Sequence, residues 1–265
     1  MTTLHYYIMD PTKNITALVE TPVPPASRPF AASEIMKAEP DCEQVGFLSR
    51  TEAGETRLDM AGGEFCGNAS MSAAALICAK EGLRQGQRRS LTLRVSGAAA
   101  PVEVCVTAAE QGVFDCTVNM PASEKIEEVT LPAGNREICL PAVFFPGIAH
   151  IIVTKDELAA GDAERVIKEW CLRLKAAALG VMLFDEKTLA LRPIVYVPAA
   201  DTMFWESSCA SGSAAIGAYL SEKSGAPVEL CLNEPGGILR VNAAPGCGVR
   251  LSGQVTVRSE ETMIC

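Results

Sequence analysis

Cys66 lies between a glycine turn, Gly62-Gly63, and the run Ser70-Met71-Ser72-Ala73-Ala74-Ala75-Leu76-Ile77-Cys78-Ala79. That run is small or apolar on every side, which predicts a helix buried all round with the cysteine at its N-terminus. Unpaired backbone N–H groups and the helix dipole favour an anion there. The thiol is therefore expected to ionise below its free value of about 8.5, in the range of about 3.5–7.5. The arrangement recurs at Glu206-Ser207-Ser208-Cys209-Ala210-Ser211-Gly212, which leads into Ser213-Ala214-Ala215-Ile216-Gly217-Ala218-Tyr219-Leu220. Gly82 and Gly225 follow their cysteines at equal distance and serve as helix stops. Two matched cysteines at matched helix starts predict a chain built from two related halves.

If the halves face each other, both helix N-termini can hold one carboxylate through backbone N–H groups around Gly67-Asn68 and Ala210-Ser211. The cysteines then flank the carbon that bears that carboxylate. Exchange of a Cα proton needs this geometry: a thiolate removes the proton and the opposite thiol returns one. The same helix ends stabilise the enolate-like charge that develops. Glu64 and Glu206, close to the cysteines in sequence, are placed to tune the thiols.

The elements that must position these turns follow from pattern. Residues 4–9 and 15–20 read as strands joined by a turn through Asn14, residues 31–38 as a short helix, and 45–48 as a strand. After the first buried helix, residues 90–95, 102–106 and 113–118 alternate as antiparallel strands. Met120-Pro121-Ala122-Ser123-Glu124 marks the boundary, giving halves 1–122 and 123–265, with the last residues free to pack back on the first half. In the second half, strands 137–145 and 151–154 flank the segment 146–150, read as a turn. Asp162 caps a helix predicted to run to Leu179, stopped by Gly180, with Val166, Ile167, Trp170 and Leu174 on one face. Strands 181–184 and 194–197 precede the second cysteine turn, and 228–232, 238–241 and 249–257 finish the sheet. The expected fold is α/β (α+β): two pseudo-symmetric domains, each a mostly antiparallel sheet wrapped around a central helix.

At 265 residues each half is large enough to bury a core. A net charge of −9 argues against nucleic acid and anionic membrane surfaces as partners. No apolar run has the length of a spanning helix, and the first residues lack a signal-peptide layout, so a cytoplasmic protein is expected. Eleven cysteines fit a disulfide framework poorly, and two distant histidines with no CxxC pair argue against a zinc site. Cys78, Cys105, Cys116, Cys171 and Cys231 lie in apolar patterns and read as buried structural residues.

Cys66-Gly67-Asn68 and Cys209-Ala210-Ser211-Gly212 resemble the two signature turns of diaminopimelate epimerase and its relatives, the cofactor-independent amino-acid racemases. The resemblance implies a site between the halves, no pyridoxal phosphate or other cofactor, no metal, and Cys66 and Cys209 as paired acid and base. It extends to Asn14, which resembles the asparagine of the family's first Gly-Asn turn. It also extends to Gly147-Ile148-Ala149-His150, similar to a Gly-Asn-Pro-His segment with Ile148 in the asparagine's place. Asn14, Gly67, Asn68, His150, Glu206, Ala210 and Ser211 are thus expected to bind an amino-acid substrate. Diaminopimelate epimerase carries a Glu-Arg-Gly run before its second cysteine, where this chain reads Pro198-Ala199-Ala200-Asp201-Thr202-Met203-Phe204-Trp205. A buried distal carboxylate without a cation is costly. Arg192 could supply a charge, and Phe204 and Trp205 suit an aromatic or apolar side chain. The pattern is closer to the histidine racemase branch. Diaminopimelate epimerase with an altered pocket, a proline-type racemase, a phenazine-type isomerase, a thiol-redox protein and a non-catalytic binding module remain open, as does a homodimer.

Overall fold

A computed structural model describes residues 2–154 and 157–265, which include every candidate site residue. In chain order the first elements are β1 (Thr3–Pro11), β2 (Thr16–Val19), α1 (Arg28–Ala38), β3 (Gln44–Arg50), β4 (Thr56–Met60), α2 (Gly67–Lys80), β5 (Arg88–Val95), β6 (Val102–Glu110) and β7 (Val113–Asn119). There follow β8 (Lys125–Ala133), β9 (Arg136–Phe145), β10 (Ile148–Thr154), α3 (Ala160–Leu174), β11 (Leu179–Asp185), β12 (Ala190–Val197), β13 (Thr202–Trp205), α4 (Ala210–Ser224), β14 (Val228–Glu234), β15 (Gly237–Ala243) and β16 (Arg250–Ile264). Contacts divide the chain into two compact units, one running to Asn119 and taking in Ser252–Cys265, the other Met120–Leu251. The division falls between Asn119 and Met120, a few residues before the expected boundary at 122.

In the first unit β1 to β7 follow one another across the sheet, and β16 joins β7 to β1, closing the sheet on itself. Parallel pairs occur where a helix makes the crossover, β2 with β3 through α1 and β4 with β5 through α2, as parallel neighbours require. The hairpins are antiparallel. The second unit repeats that connectivity: β9–β10 hairpin, α3 crossover to parallel β11, β11–β12 antiparallel, α4 crossover to parallel β14, then β14–β15 antiparallel.

The helices divide into two kinds. α3 lies against β8, β11 and β12 and buries Ala163, Ile167, Trp170 and Cys171, with the Trp170 indole donating to the Pro132 carbonyl at 2.7 Å. α2 and α4 are enclosed by strands and bury Ala69–Leu76 and Ser213–Ala218 almost without a break. Their composition is small because the sheet comes close. A Cβ at Gly217 would run into Val241 Cγ1 of β15.

Several expectations are corrected. The helix placed at 162–179 runs from 160 to 174, with Ala159 as N-cap and Asp162 in its first turn. It ends because Lys175 adopts the left-handed conformation at φ 52°, and Gly180 lies within β11. Only Pro146-Gly147 turns, with Ile148 to His150 already in β10. β4, β8 and β13 are additional strands: β8 is rich in exposed charge and β13 is a four-residue piece against β12, so neither shows clean alternation. Cys231 is exposed and Cys105 half-buried, unlike buried Cys78, Cys116 and Cys171.

Overpacking a stiff core costs about 1–3 kcal/mol, equivalent to roughly 2–10 °C in Tm for a chain of this size. Gly217→Ala is therefore expected to lower the melting temperature by several degrees in calorimetry. An unchanged Tm would contradict the tight α4–β15 contact.

Candidate active site

In the first unit Cys66 is the N-cap of α2, in extended conformation, and its Sγ accepts the Ala69 N–H at 3.3 Å. The thiol donates to Gln44 Oε1 at 3.1 Å. Gln44 Nε2 donates to Asn14 Oδ1 at 2.6 Å and to Thr16 Oγ1 at 2.8 Å. Asn68 Nδ2 reaches the same Asn14 oxygen at 3.0 Å, and Asn14 Nδ2 donates to Glu43. The first unit thus brings Cys66, Gly67, Asn68 and Asn14 together, with Gln44 as the amide that links thiol to asparagine.

In the second unit Cys209 is the N-cap of α4, and its Sγ accepts the Gly212 N–H at 3.4 Å. Ser211 Oγ lies 3.6 Å from the sulfur. Glu206 hydrogen-bonds the thiol, and buried Glu234 accepts the Cys209 N–H at 2.7 Å. Burial pushes the Cys209 thiol well above its ordinary value, and the Glu206 and Glu234 carboxylates push it further. The expectation of an easily ionised thiol is overturned here, because desolvation and two like charges outweigh the helix end. Cys209 rests as a thiol.

His150 belongs to this unit but not to that cluster of hydrogen bonds. It is wholly buried in β10, edge-on to Phe145 at 6.1 Å, with its ring filling the space that Gly180 leaves by lacking a side chain. Among the described residues neither ring nitrogen has a hydrogen-bond partner. Burial lowers its pKa to about 3, so the imidazole is neutral.

A family profile described as the histidine racemase CntK N-terminal domain matches residues 3–262. The chain belongs to the histidine racemase family. The histidine racemase of Fusobacterium nucleatum is 32% identical over 83% of this chain and 82% of its own length. That of Staphylococcus aureus is 28% identical over 93% and 92%. A probable proline racemase from Agrobacterium radiobacter K84 shares the fold, with a TM-score of 0.77 at 14% identity over 99% of this chain and 93% of that one. Family membership makes the protein an isomerase of the amino-acid racemase and epimerase class. The likeness expected specifically to diaminopimelate epimerase is not what these matches support; they support histidine racemase by sequence and the proline racemase type by fold.

Within this racemase family chain, two side chains suggested for substrate are engaged elsewhere. Arg192 stacks on the Trp205 ring at 4.8 Å, and the Trp205 indole donates to Glu164 of α3. Among the described residues no cluster of three or more metal-ligating side chains occurs, and no helix is long and apolar enough to cross a membrane. Gln44, Glu43 and Glu234 are the residues that sequence reading missed. Glu234 had a signal, since it shares the inward parity of Leu232 on β14. Gln44 had none, because its neighbours Asn14 and Cys66 meet it only through tertiary pairing.

Two outcomes follow. Gln44→Leu, which removes the acceptor of the Cys66 thiol, should lower kcat about tenfold or more, the equivalent of ~1.4 kcal/mol, with the fold intact by circular dichroism; full activity would contradict the link. His150, neutral when folded and protonated below about 6.5 when unfolded, should destabilise the fold as pH falls below that value. By pH 4.5 its contribution is about 2–3 kcal/mol. Urea unfolding of His150→Gln should therefore lose that much less stability between pH 7.5 and 4.5; equal losses would contradict a neutral buried ring.

Proposed function

We propose that the chain is a cofactor-independent histidine racemase that interconverts L- and D-histidine with Cys66 and Cys209 as the two bases. The observation that carries this reading is the repeated N-cap: each unit sets one cysteine sulfur against the first free N–H groups of an enclosed helix. A thiolate on one face of Cα removes the proton, and the thiol on the other face delivers one. The backbone N–H groups of Gly67, Asn68, Ala210 and Ser211 hold the carboxylate, where helix dipoles stabilise both it and the enolate-like charge. Asn14 orients Asn68 and Gln44 around the first thiol. Glu206 accepts the Cys209 proton when the direction reverses, and a thiol–thiolate pair supplies both acid and base without a cofactor. His150, buried and neutral, packs against Phe145 and Gly180. The named activity of the relatives supports histidine as substrate.

Removing one acid–base partner costs typically 10²–10⁴-fold. Cys66→Ser and Cys209→Ser should each reduce racemisation of histidine by about that much or more, in reducing buffer without pyridoxal phosphate. Chiral chromatography across a panel of L-amino acids and LL-diaminopimelate checks the substrate. Turnover of another member in preference to histidine would overturn the substrate, and full activity in either serine variant would overturn the two-base reading.

A further inference from the structure

Glu234 ends β14, and the following turn is tied to the cysteine turn by the Gly236 N–H, which donates to the Ser207 carbonyl at 2.7 Å. Its carboxyl is buried and spans the first turn of α4: one oxygen accepts the Cys209 N–H, and the other meets the Ser213 hydroxyl. The titratable groups that face it are Glu206 and Cys209, while β15 presents Gly237 opposite it in the sheet. The corresponding strand of the first unit, β5, is followed instead by Ser96, whose hydroxyl donates to the Glu64 carbonyl at 2.8 Å. The Cys66 thiol donates to the Gln44 amide, and the Cys209 turn carries two carboxyls.

We propose that Glu234 is a positioning residue that anchors the Cys209 turn and sets the proton affinity of that thiol. A carboxylate hydrogen-bonded to the Cys209 N–H sets a negative charge beside the sulfur and disfavours its ionisation. Burial raises the carboxyl to about 8, so its charge appears before that of the thiol as pH rises. Ser213 suits either state, because its hydroxyl donates to a carboxylate and accepts from a carboxylic acid. Ionisation of Glu234 therefore raises the proton affinity of Cys209 further, through the backbone N–H that joins the two.

The inference rests on the two-cysteine reading, so its test reads the thiol and not only turnover. Iodoacetamide alkylation of Cys66 and Cys209 would be followed by peptide mass against pH in the whole protein. Glu234→Gln, which fixes the neutral form, should lower the alkylation midpoint of Cys209 by about one unit or more and leave that of Cys66 in place. Ser213→Ala keeps the carboxyl but withdraws its donor, and should shift Cys209 in the same direction by less; it serves as the test if Glu234→Gln does not fold. An unchanged Cys209 midpoint in folded protein, or an equal shift at Cys66, would overturn the proposal. Loss of that coupling with racemisation intact would sink this inference alone, whereas normal coupling without racemisation would sink the racemase reading alone.

Discussion

A helix whose N-terminus lies inside a sheet has N–H groups that water cannot reach, and leaving one unpaired costs about 1–3 kcal/mol. α2 and α4 meet this constraint with sulfur, Cys66 accepting from Ala69 and Cys209 from Gly212. A neutral thiol is a weak acceptor, whereas a thiolate or a carboxylate bound at the helix end accepts more strongly. In the proposed mechanism the group that caps each helix is therefore also the group that moves the proton.

The rest of the structure serves these two turns. Small residues let strands close around α2 and α4, and the crossover topology delivers a strand end beside each cysteine. The surroundings then differ by unit. Gln44, held by Asn14 and Thr16, presents a carbonyl to the Cys66 thiol, whereas Glu206 and Glu234 load the Cys209 turn with acid. Two cysteines in one repeated position thus have different hydrogen-bond partners.

Much of this was legible in the chain. The apolar runs after Cys66 and Cys209 marked the cores of α2 and α4, and the cysteines and the glycines Gly82 and Gly225 bracketed their ends, because an enclosed helix carries small or apolar residues on every side. The amphipathic α3 was legible in type but not in length: Lys175 in a left-handed conformation ends it, and the sequence offered Gly180 as the more conventional stop. Gln44 and Glu43 could not be read, since their partners lie far off along the chain and meet through β2–β3 pairing. The Cys209 thiol is less acidic than its helix end suggests because its burial, and the approach of Glu206 and Glu234, arise from tertiary packing.

The central claim is transfer of a proton across Cα by two different groups. The direct measurement is proton NMR and mass analysis of L-histidine turned over in D2O, stopped early. The account predicts D-histidine carrying solvent deuterium at Cα while recovered L-histidine keeps its original proton, since the group that removes a proton is not the group that returns one. D-histidine that retains the substrate's own α-proton would contradict it, showing that a single group serves both faces.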